Sequence, residues 1–112
     1  MNHDPSVQHQ RIAFKMKMKP GFKAEYIRRH AEIWPALSEL LKKSGVEDYS
    51  IFLDEETNTL FAVQKVIGSA GSQDLGRELI VQQWWKFMAD IMDTNADYSP
   101  VVRALEEVFY LP

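Results

Sequence analysis

The chain has 112 residues, of which 46% are hydrophobic and 26% are charged, a composition typical of one globular domain. It contains no cysteine, which excludes disulfides, thiolate metal sites and cysteine nucleophiles. The net charge of −3 gives no reason to expect nucleic acid or an anionic membrane as a partner, and no apolar run approaches the ~20 residues that span a bilayer. We therefore expect a cytoplasmic protein.

The first regular pattern covers residues 11–19. It follows a polar stretch, residues 1–10, that we interpret as a disordered N-terminal tail. Residues 11–112 are then expected to form a single domain. Between residues 11 and 19 apolar and mostly basic side chains alternate, which predicts a half-buried β-strand. Its buried face would carry Ile12, Phe14, Met16 and Met18.

A long helical pattern follows, from about residue 22 to residue 43, and Pro35 falls inside it. Because a proline ring removes one hydrogen bond and crowds the preceding turn, the helix should kink or restart there. Tyr26 and His30 lie one turn apart and share the apolar face, which must point into the fold. The opposite, solvent-facing side carries Arg28, Arg29 and Glu32.

The rest of the chain predicts two strands, a helix and a final strand. Residues 46–53 and 59–67 form a hairpin, a helix begins at Ser72 or Asp74 and ends near residue 92, and residues 101–111 form the last strand. This helix would bury a stripe made of Leu75, Leu79, Ile80, Trp84, Phe87, Met88 and Ile91. The order is the βαββαβ pattern of an α+β, ferredoxin-like fold. Both helices would cover one sheet face, so we expect a homodimer to cover the other.

Several kinds of site find no support in the sequence. There is no Gly-x-Ser-x-Gly elbow, no glycine-rich phosphate loop before a helix, and His30 has no second histidine at the spacing of a zinc site. Haem ligation by His30 alone stays open. What remains is one imidazole, which transfers protons near neutral pH, with aromatic side chains suited to a sugar ring. These residues are His30, Tyr26, Tyr49, Trp84 and Trp85, and an ordinary role in the core or at an interface stays open for each.

Four segments of the chain form a more specific combination. They are Tyr26-x-x-Arg29-His30-x-x-Ile33-Trp34-Pro35, Tyr49-Ser50-Ile51-Phe52-Leu53-Asp54, Gln83-Trp84-Trp85-Lys86-Phe87-Met88 and Glu107-Val108-Phe109-Tyr110-Leu111-Pro112. Together, and in their spacing, they resemble the L-rhamnose mutarotases over roughly residues 11–112. Two stretches depart from that family: residues 1–10 extend beyond its usual start, and residues 68–76 are richer in glycine and serine, which would alter one wall of the pocket.

The resemblance implies a dimeric α/β barrel and an isomerase that interconverts the α and β anomers of L-rhamnose. By position, His30 matches the family's proton donor. It would protonate the ring oxygen as the ring opens and take the proton back as the ring closes, with no metal or organic cofactor. The sugar-binding residues of the family match Tyr26, Tyr49, Trp84 and Trp85.

Two alternative functions remain open at this point. In the first, the chain is a haem-binding or monooxygenase-type protein of the same dimeric fold, with His30 as the ligand. In the second, it is a non-catalytic sugar-binding module in which the tyrosines and tryptophans only hold the sugar. A haem titration would test the first alternative. Loss of anomer exchange in a His30→Ala variant that still binds the sugar would exclude the second.

Overall fold

In the computed structural model, which describes residues 9–68 and 70–112, four strands form one antiparallel sheet. The strands are β1 (His9–Lys17), β2 (Val46–Asp54), β3 (Thr59–Ile67) and β4 (Arg103–Leu105), and the helices are α1 (Lys23–Ala31), α2 (Pro35–Lys43) and α3 (Leu79–Met88). The sheet order β2-β3-β1-β4 confirms the predicted ferredoxin-like βαββαβ fold. None of these described helices is long and apolar enough to cross a membrane.

The strand β1 lies between β3 and β4 and sends alternate side chains into the core, as its pattern predicts. It begins two residues earlier than expected, because His9 and Gln10 pair with β3 instead of belonging to a tail. The other residues of that predicted tail, 1–8, lie outside the described residues. The core that β1 enters is shared by the inner sheet face and the helices, and includes Phe14, Met16, Leu37, Leu60, Ala62, Val81 and Met88.

A complete break separates α1 from α2 at the proline that the sequence marks as a kink or restart. Trp34 is extended, with φ −60° and ψ 127°, because a proline ring disfavours the helical conformation in the residue before it. Pro35 is the first residue of α2, where its missing N–H costs no hydrogen bond. The break leaves His30 in the last turn of α1, just ahead of the change in chain direction.

The helix α3 begins later than predicted. In place of one helix from residue 72 onward, the chain forms a 3₁₀ turn at Ser72–Asp74, and α3 starts only at Leu79. Gly76 lies between them in a turn, and a glycine disfavours helix by about 1 kcal/mol relative to alanine. The predicted stripe is therefore wrong at Leu79 and Phe87, which are 66% and 40% exposed. The residues of α3 that are buried are Val81, Trp84 and Met88.

The fourth strand is much shorter than the predicted span of residues 101–111. Only Arg103–Leu105 pair with β1, and residues 106–112 are exposed and form no strand. Side chains hold this C-terminal segment near β1 in place of a backbone ladder. The Arg11 guanidinium lies 3.4 Å from the centre of the Tyr110 ring and 3.7 Å from the Glu107 carboxylate.

The prediction that Arg29 faces solvent is wrong, since its side chain is only 9% exposed and reaches from α1 to the end of α3. It donates hydrogen bonds to the Phe87 carbonyl at 2.8 Å, to both carboxylate oxygens of Asp90 at 2.8 and 3.1 Å, and to Glu25 at 2.7 Å. The last carbonyls of a helix have no partner within the helix and attract a cation. The need of the Phe87 carbonyl for a partner at the end of α3 explains why the Arg29 guanidinium points into the fold.

We predict that Arg29→Met lowers the free energy of unfolding by about 1.5–3 kcal/mol, the usual contribution of hydrogen bonds that involve charged groups. Arg28→Met is the matched control, because Arg28 lies on the same helix but pairs with Glu25 and Glu32 at the surface. For that variant we expect little change in stability, because ion pairs exposed to solvent contribute little. Urea denaturation measures both, and equal losses would contradict the structural role of Arg29.

Candidate active site

A cavity of about 990 Å³ lies between the inner face of the sheet and the three helices. Small-molecule sites typically measure ~300–1,000 Å³, so the cavity has room for a monosaccharide. Three separate elements, α1, β2 and α3, contribute to its wall the side chains that the sequence singles out. All five of them line it: Tyr26, His30, Tyr49, Trp84 and Trp85.

The imidazole of His30 is held in one orientation by its own helix. Its Nδ1 lies 3.1 Å from the Tyr26 carbonyl oxygen. Because a carbonyl oxygen only accepts, Nδ1 carries the proton, and Nε2 is the nitrogen that remains for a ligand. Burial lowers the pKa of His30 below its usual 6.5, and the hydrogen bond to the Tyr26 carbonyl opposes this only in part. At neutral pH His30 is therefore uncharged, with Nε2 ready to accept a proton.

Aromatic rings surround this imidazole. The Tyr26 ring stacks on it with 4.3 Å between centroids, and the Trp84 ring meets it edge-on at 5.5 Å. Trp34, from the break between α1 and α2, packs perpendicular to Trp84 at 5.1 Å. These contacts exclude water from much of the imidazole ring. They explain why burial is the largest influence on the pKa of His30.

Tyr49 reaches the cavity because of a β-bulge in β2. Glu47 pairs with Lys65 but Ser50 pairs with Val63, so the intervening two residues of β2 face one residue of β3. Asp48 takes the left-handed conformation there, with φ 49°. One extra residue moves the following side chains to the other face of a strand. The bulge therefore turns Tyr49 toward the helices.

Tyr26 and Tyr49 of the cavity wall keep their protons over the physiological range. Burial raises the pKa of Tyr26 well above its usual value, and the nearby Tyr49 adds to the effect. Burial also raises the pKa of Tyr49, while the nearby Ser72 side chain opposes that rise. Both side chains are thus neutral phenols, which suit hydrogen bonds to the hydroxyl groups of an uncharged ligand.

The adjacent tryptophans occupy different environments, as the ~100° rotation between neighbouring helix residues predicts. Trp84 is 8% exposed and belongs to the core. Trp85 is half-buried and faces Gly76, where a Cβ atom would come within 3.2 Å of the indole ring. The glycine in this turn leaves the space that the Trp85 ring occupies at the cavity wall.

Comparison with known proteins places the chain in a family. A family model described as L-rhamnose mutarotase matches residues 11–111. The chain belongs to the L-rhamnose mutarotase family. An L-rhamnose mutarotase from Formosa agariphila is 61% identical over 102 residues, which are 91% of this chain and 98% of that protein. One from Bacteroides thetaiotaomicron is 61% identical over 101 residues, covering 90% and 97% of the two chains.

Solved structures agree with this membership. The crystal structure of an L-rhamnose mutarotase from Formosa agariphila superposes with a TM-score of 0.84 at 55% identity, over 92% of this chain and 99% of that one. A Bordetella bronchiseptica protein assigned to antibiotic biosynthesis monooxygenases has a TM-score of 0.63 at 14% identity, over 90% and 98%. The likeness to the Bordetella protein, at 14% identity, shows the shared fold alone and gives no support to the monooxygenase alternative. The likeness to the Formosa structure, at 55% identity, supports a mutarotase.

One wall of the cavity is formed by residues that the sequence did not single out as candidate site residues. Ser72 and Gln73 line the cavity, although Ser72 was predicted only as a helix cap. Both come from residues 68–76, the glycine- and serine-rich stretch that the resemblance suggests would alter one wall of the pocket. That stretch was the available signal, but the partner of Ser72 in the structure, Gln64, lies on β3, whereas Ser72 lies in a 3₁₀ turn.

We predict that the imidazole of His30 titrates with a pKa below 6.5, because desolvation disfavours the charged ring. NMR of the side-chain ring signals across pH 4–8 (about four units) measures this midpoint, and a His30→Gln spectrum assigns the signal. A midpoint at or above 6.5 would show that the ring is solvated or paired with an acid, contrary to the environment described above.

Proposed function

We propose that this protein interconverts the α and β anomers of L-rhamnose, acting as an isomerase in the cytoplasm. The observation that carries the proposal is an uncharged His30 whose Nε2 remains for a ligand, at the wall of a cavity shared with two neutral phenols. Family membership and the relatives named for this reaction support the choice of sugar. Proton transfer near neutral pH needs a group of this kind.

The reaction begins with His30 as a base. Nε2 takes the proton of the anomeric hydroxyl, the C1–O1 bond becomes a carbonyl, and the C1–O5 bond breaks with its electron pair moving to the ring oxygen. The imidazolium then donates the proton to that oxygen, which leaves the open-chain aldehyde. Rotation about C1–C2 presents the opposite carbonyl face, and the reverse steps close the ring as the other anomer. During ring opening His30 therefore first accepts a proton and then donates it. The sequence predicts its donation to the ring oxygen, and its acceptance of the anomeric proton is the added role.

The other four residues bind and orient the sugar in this proposal. Tyr26 and Tyr49 hydrogen-bond its hydroxyl groups as neutral phenols. Trp85, half-buried at the wall, stacks on the apolar C–H face of the ring, and Trp84 supports both the sugar and the imidazole. Holding the sugar beside Nε2 adds an orientation effect to general acid–base catalysis, which alone contributes ~10²–10⁴-fold.

We predict that the protein accelerates the mutarotation of freshly dissolved L-rhamnose, and that His30→Gln loses about 10²-fold or more of this acceleration. Polarimetry measures both rates against the uncatalysed reaction. His9→Gln is the matched control, because His9 is exposed at the start of β1 and does not line this cavity. For that control variant we expect the acceleration of the unchanged protein.

The pH dependence of the same rate tests which form of His30 acts. The pKa of His30 is lowered, so the neutral base is the main form at pH 7, and the rate should fall as pH drops through that pKa. A rate that rises as pH drops through the same point would show that the protonated form carries the reaction. No acceleration by the folded protein would overturn the proposed function for this sugar.

We propose that two copies of the chain form a homodimer through the outer face of the sheet and the C-terminal segment. The outer face carries Phe52, which is 63% exposed, opposite Phe61 of β3. In the C-terminal segment Val108 is 89% exposed, and Phe109 and Leu111 are each 77% exposed. Adjacent apolar side chains of this size rarely face solvent in a monomer, and a twofold dimer would cover them.

We predict a solution mass of twice the 13.0 kDa of one chain, measured by light scattering during size-exclusion chromatography. Phe109→Glu should shift the population toward monomer, because burying a carboxylate in an apolar contact is unfavourable. Leu79→Glu is the control, since Leu79 is 66% exposed on α3, away from the sheet. A monomer at micromolar concentration would contradict the dimer.

A further inference from the structure

An irregular loop, residues 93–100, adds a further wall to the cavity. Three of its side chains line the cavity: Thr94, Tyr98 and Pro100. Tyr98 is 45% exposed, so its side chain is shared between the cavity and solvent. An aromatic residue in this position marks the mouth of the cavity, and neither the helices nor the strands supply it.

The backbone of Tyr98 has a conformation that its residue type rarely adopts. Its φ is 69°, in the left-handed region. The other non-glycine residues with positive φ in the described part of the chain are Asp48 and Asn58, whose short polar side chains tolerate it. Such strain in a bulky residue persists only where the surrounding structure imposes it, and it is common at ligand sites. The turn itself would form more easily with asparagine or glycine, so the turn does not explain the aromatic ring.

Hydrogen bonds inside the loop impose this conformation. The Asn95 N–H donates to the Ser99 carbonyl at 2.8 Å, and the Tyr98 N–H donates to the Asn95 carbonyl at 3.0 Å. The Asn95 amide also donates to the Ser99 hydroxyl at 3.0 Å, and the Ser99 N–H donates to the Asp97 carboxylate at 3.0 Å. None of these bonds uses the Tyr98 side chain. The loop therefore closes without the ring and presents it to the cavity.

The base of the loop is attached to the sheet. The Asp93 N–H donates to the carbonyl of Lys17, the last residue of β1, at 3.0 Å, and the Val101 N–H donates to the Asp93 carbonyl at 3.1 Å. Thr94 and Pro100 face each other in an antiparallel bridge. These contacts hold the two ends of the loop together, so the position of Tyr98 is set before any ligand arrives.

The ring of Tyr98 has one partner and an unoccupied side. The Lys86 ammonium lies 5.8 Å from the ring centre, over one face, where a cation is attracted to the π electrons. None of the ring–ring contacts among the described residues involves Tyr98, whereas Tyr26 and Trp84 each pack against His30. The ring thus lines the cavity without another ring to cover it.

We infer that Tyr98 is a further sugar-binding residue, whose ring packs against the apolar C–H surface of the sugar at the mouth of the cavity. This inference rests on the proposed function and extends its set of binding residues to a fourth element of the fold. Tyr98 has no ring contact with His30, so it touches the sugar away from the proton transfer. A contact of this kind is equally strong in the ground and transition states, and its loss changes KM rather than kcat.

Tyr98→Asn tests the inference, because it removes the ring and keeps a residue that accepts the left-handed turn. We expect KM and the dissociation constant Kd for L-rhamnose to rise about 3- to 10-fold, the size of one aromatic packing contact, with kcat little changed. NMR measurement of anomer exchange against sugar concentration gives KM and kcat. A titration followed by tryptophan fluorescence gives Kd without any reaction.

Two further variants and one further measurement separate binding from a structural role. Tyr98→Phe keeps the ring and should bind the sugar as the unchanged protein does. Asn58→Gly is the matched backbone control, since Asn58 has φ 55° but does not line this cavity, and its KM should be unchanged. The melting temperature Tm of Tyr98→Asn should not fall, because asparagine relieves the strained turn. A ring that served only the fold would lower Tm when removed.

The outcomes distinguish this inference from the proposed function. Binding of L-rhamnose without faster mutarotation overturns the proposed reaction, while the Kd of Tyr98→Asn still tests the ring contact. No binding of L-rhamnose by the unchanged protein overturns both. An active protein whose KM and Kd do not change in Tyr98→Asn overturns the inference alone, as does a lower Tm or a Tyr98→Phe variant that binds as weakly. Weaker binding by Tyr98→Asn only, with Tm maintained, supports it.

Discussion

The ion pair and hydrogen bonds of Arg29 connect the two helices on which the candidate site depends. One guanidinium from α1 binds the Phe87 carbonyl and the Asp90 carboxylate at the end of α3. The neighbouring His30 then meets Trp84 edge-on with 5.5 Å between ring centroids. The distance between imidazole and indole is thus set outside the cavity, by a cation that neutralises the end of a helix.

Burial, and not a charged partner, sets the protonation states of the residues in the site. The imidazole, the two phenols and the indoles carry no net charge at neutral pH, because desolvation lowers the pKa of His30 and raises those of Tyr26 and Tyr49. An uncharged sugar presents only hydroxyl groups and C–H faces, so neutral donors, acceptors and flat rings are its natural complement. Direction then matters more than charge. The tautomer of His30, for example, is set by the Tyr26 carbonyl oxygen of its own helix.

The two faces of the sheet serve different purposes. The inner face meets the helices and forms one wall of the cavity, whereas the outer face combines aromatic side chains such as Phe52 with basic residues of β1. The C-terminal segment, held to β1 by Arg11, adds further exposed apolar surface. An antiparallel sheet with helices on a single face leaves this kind of surface to be covered. The bulge at Asp48 determines which side chains of β2 point to the inner face of the sheet and which point to the outer face.

Local patterns in the sequence determined the strand and helix order, the break at Pro35 and the five candidate residues, because periodicity, proline sterics and helical spacing act over a few neighbouring positions. The predicted length of the fourth strand, the start of α3 and the exposure of Arg29 were wrong for one shared reason. Each depends on a partner distant in the chain: β1 for the strand, the core for the phase of α3, and Asp90 for the arginine. The contact between Gln64 and Ser72 is of the same kind, since a buried amide and a turn hydroxyl carry no mutual signal until the sheet places them 2.8 Å apart. Tertiary structure alone decided those contacts, because each joins residues of different structural elements.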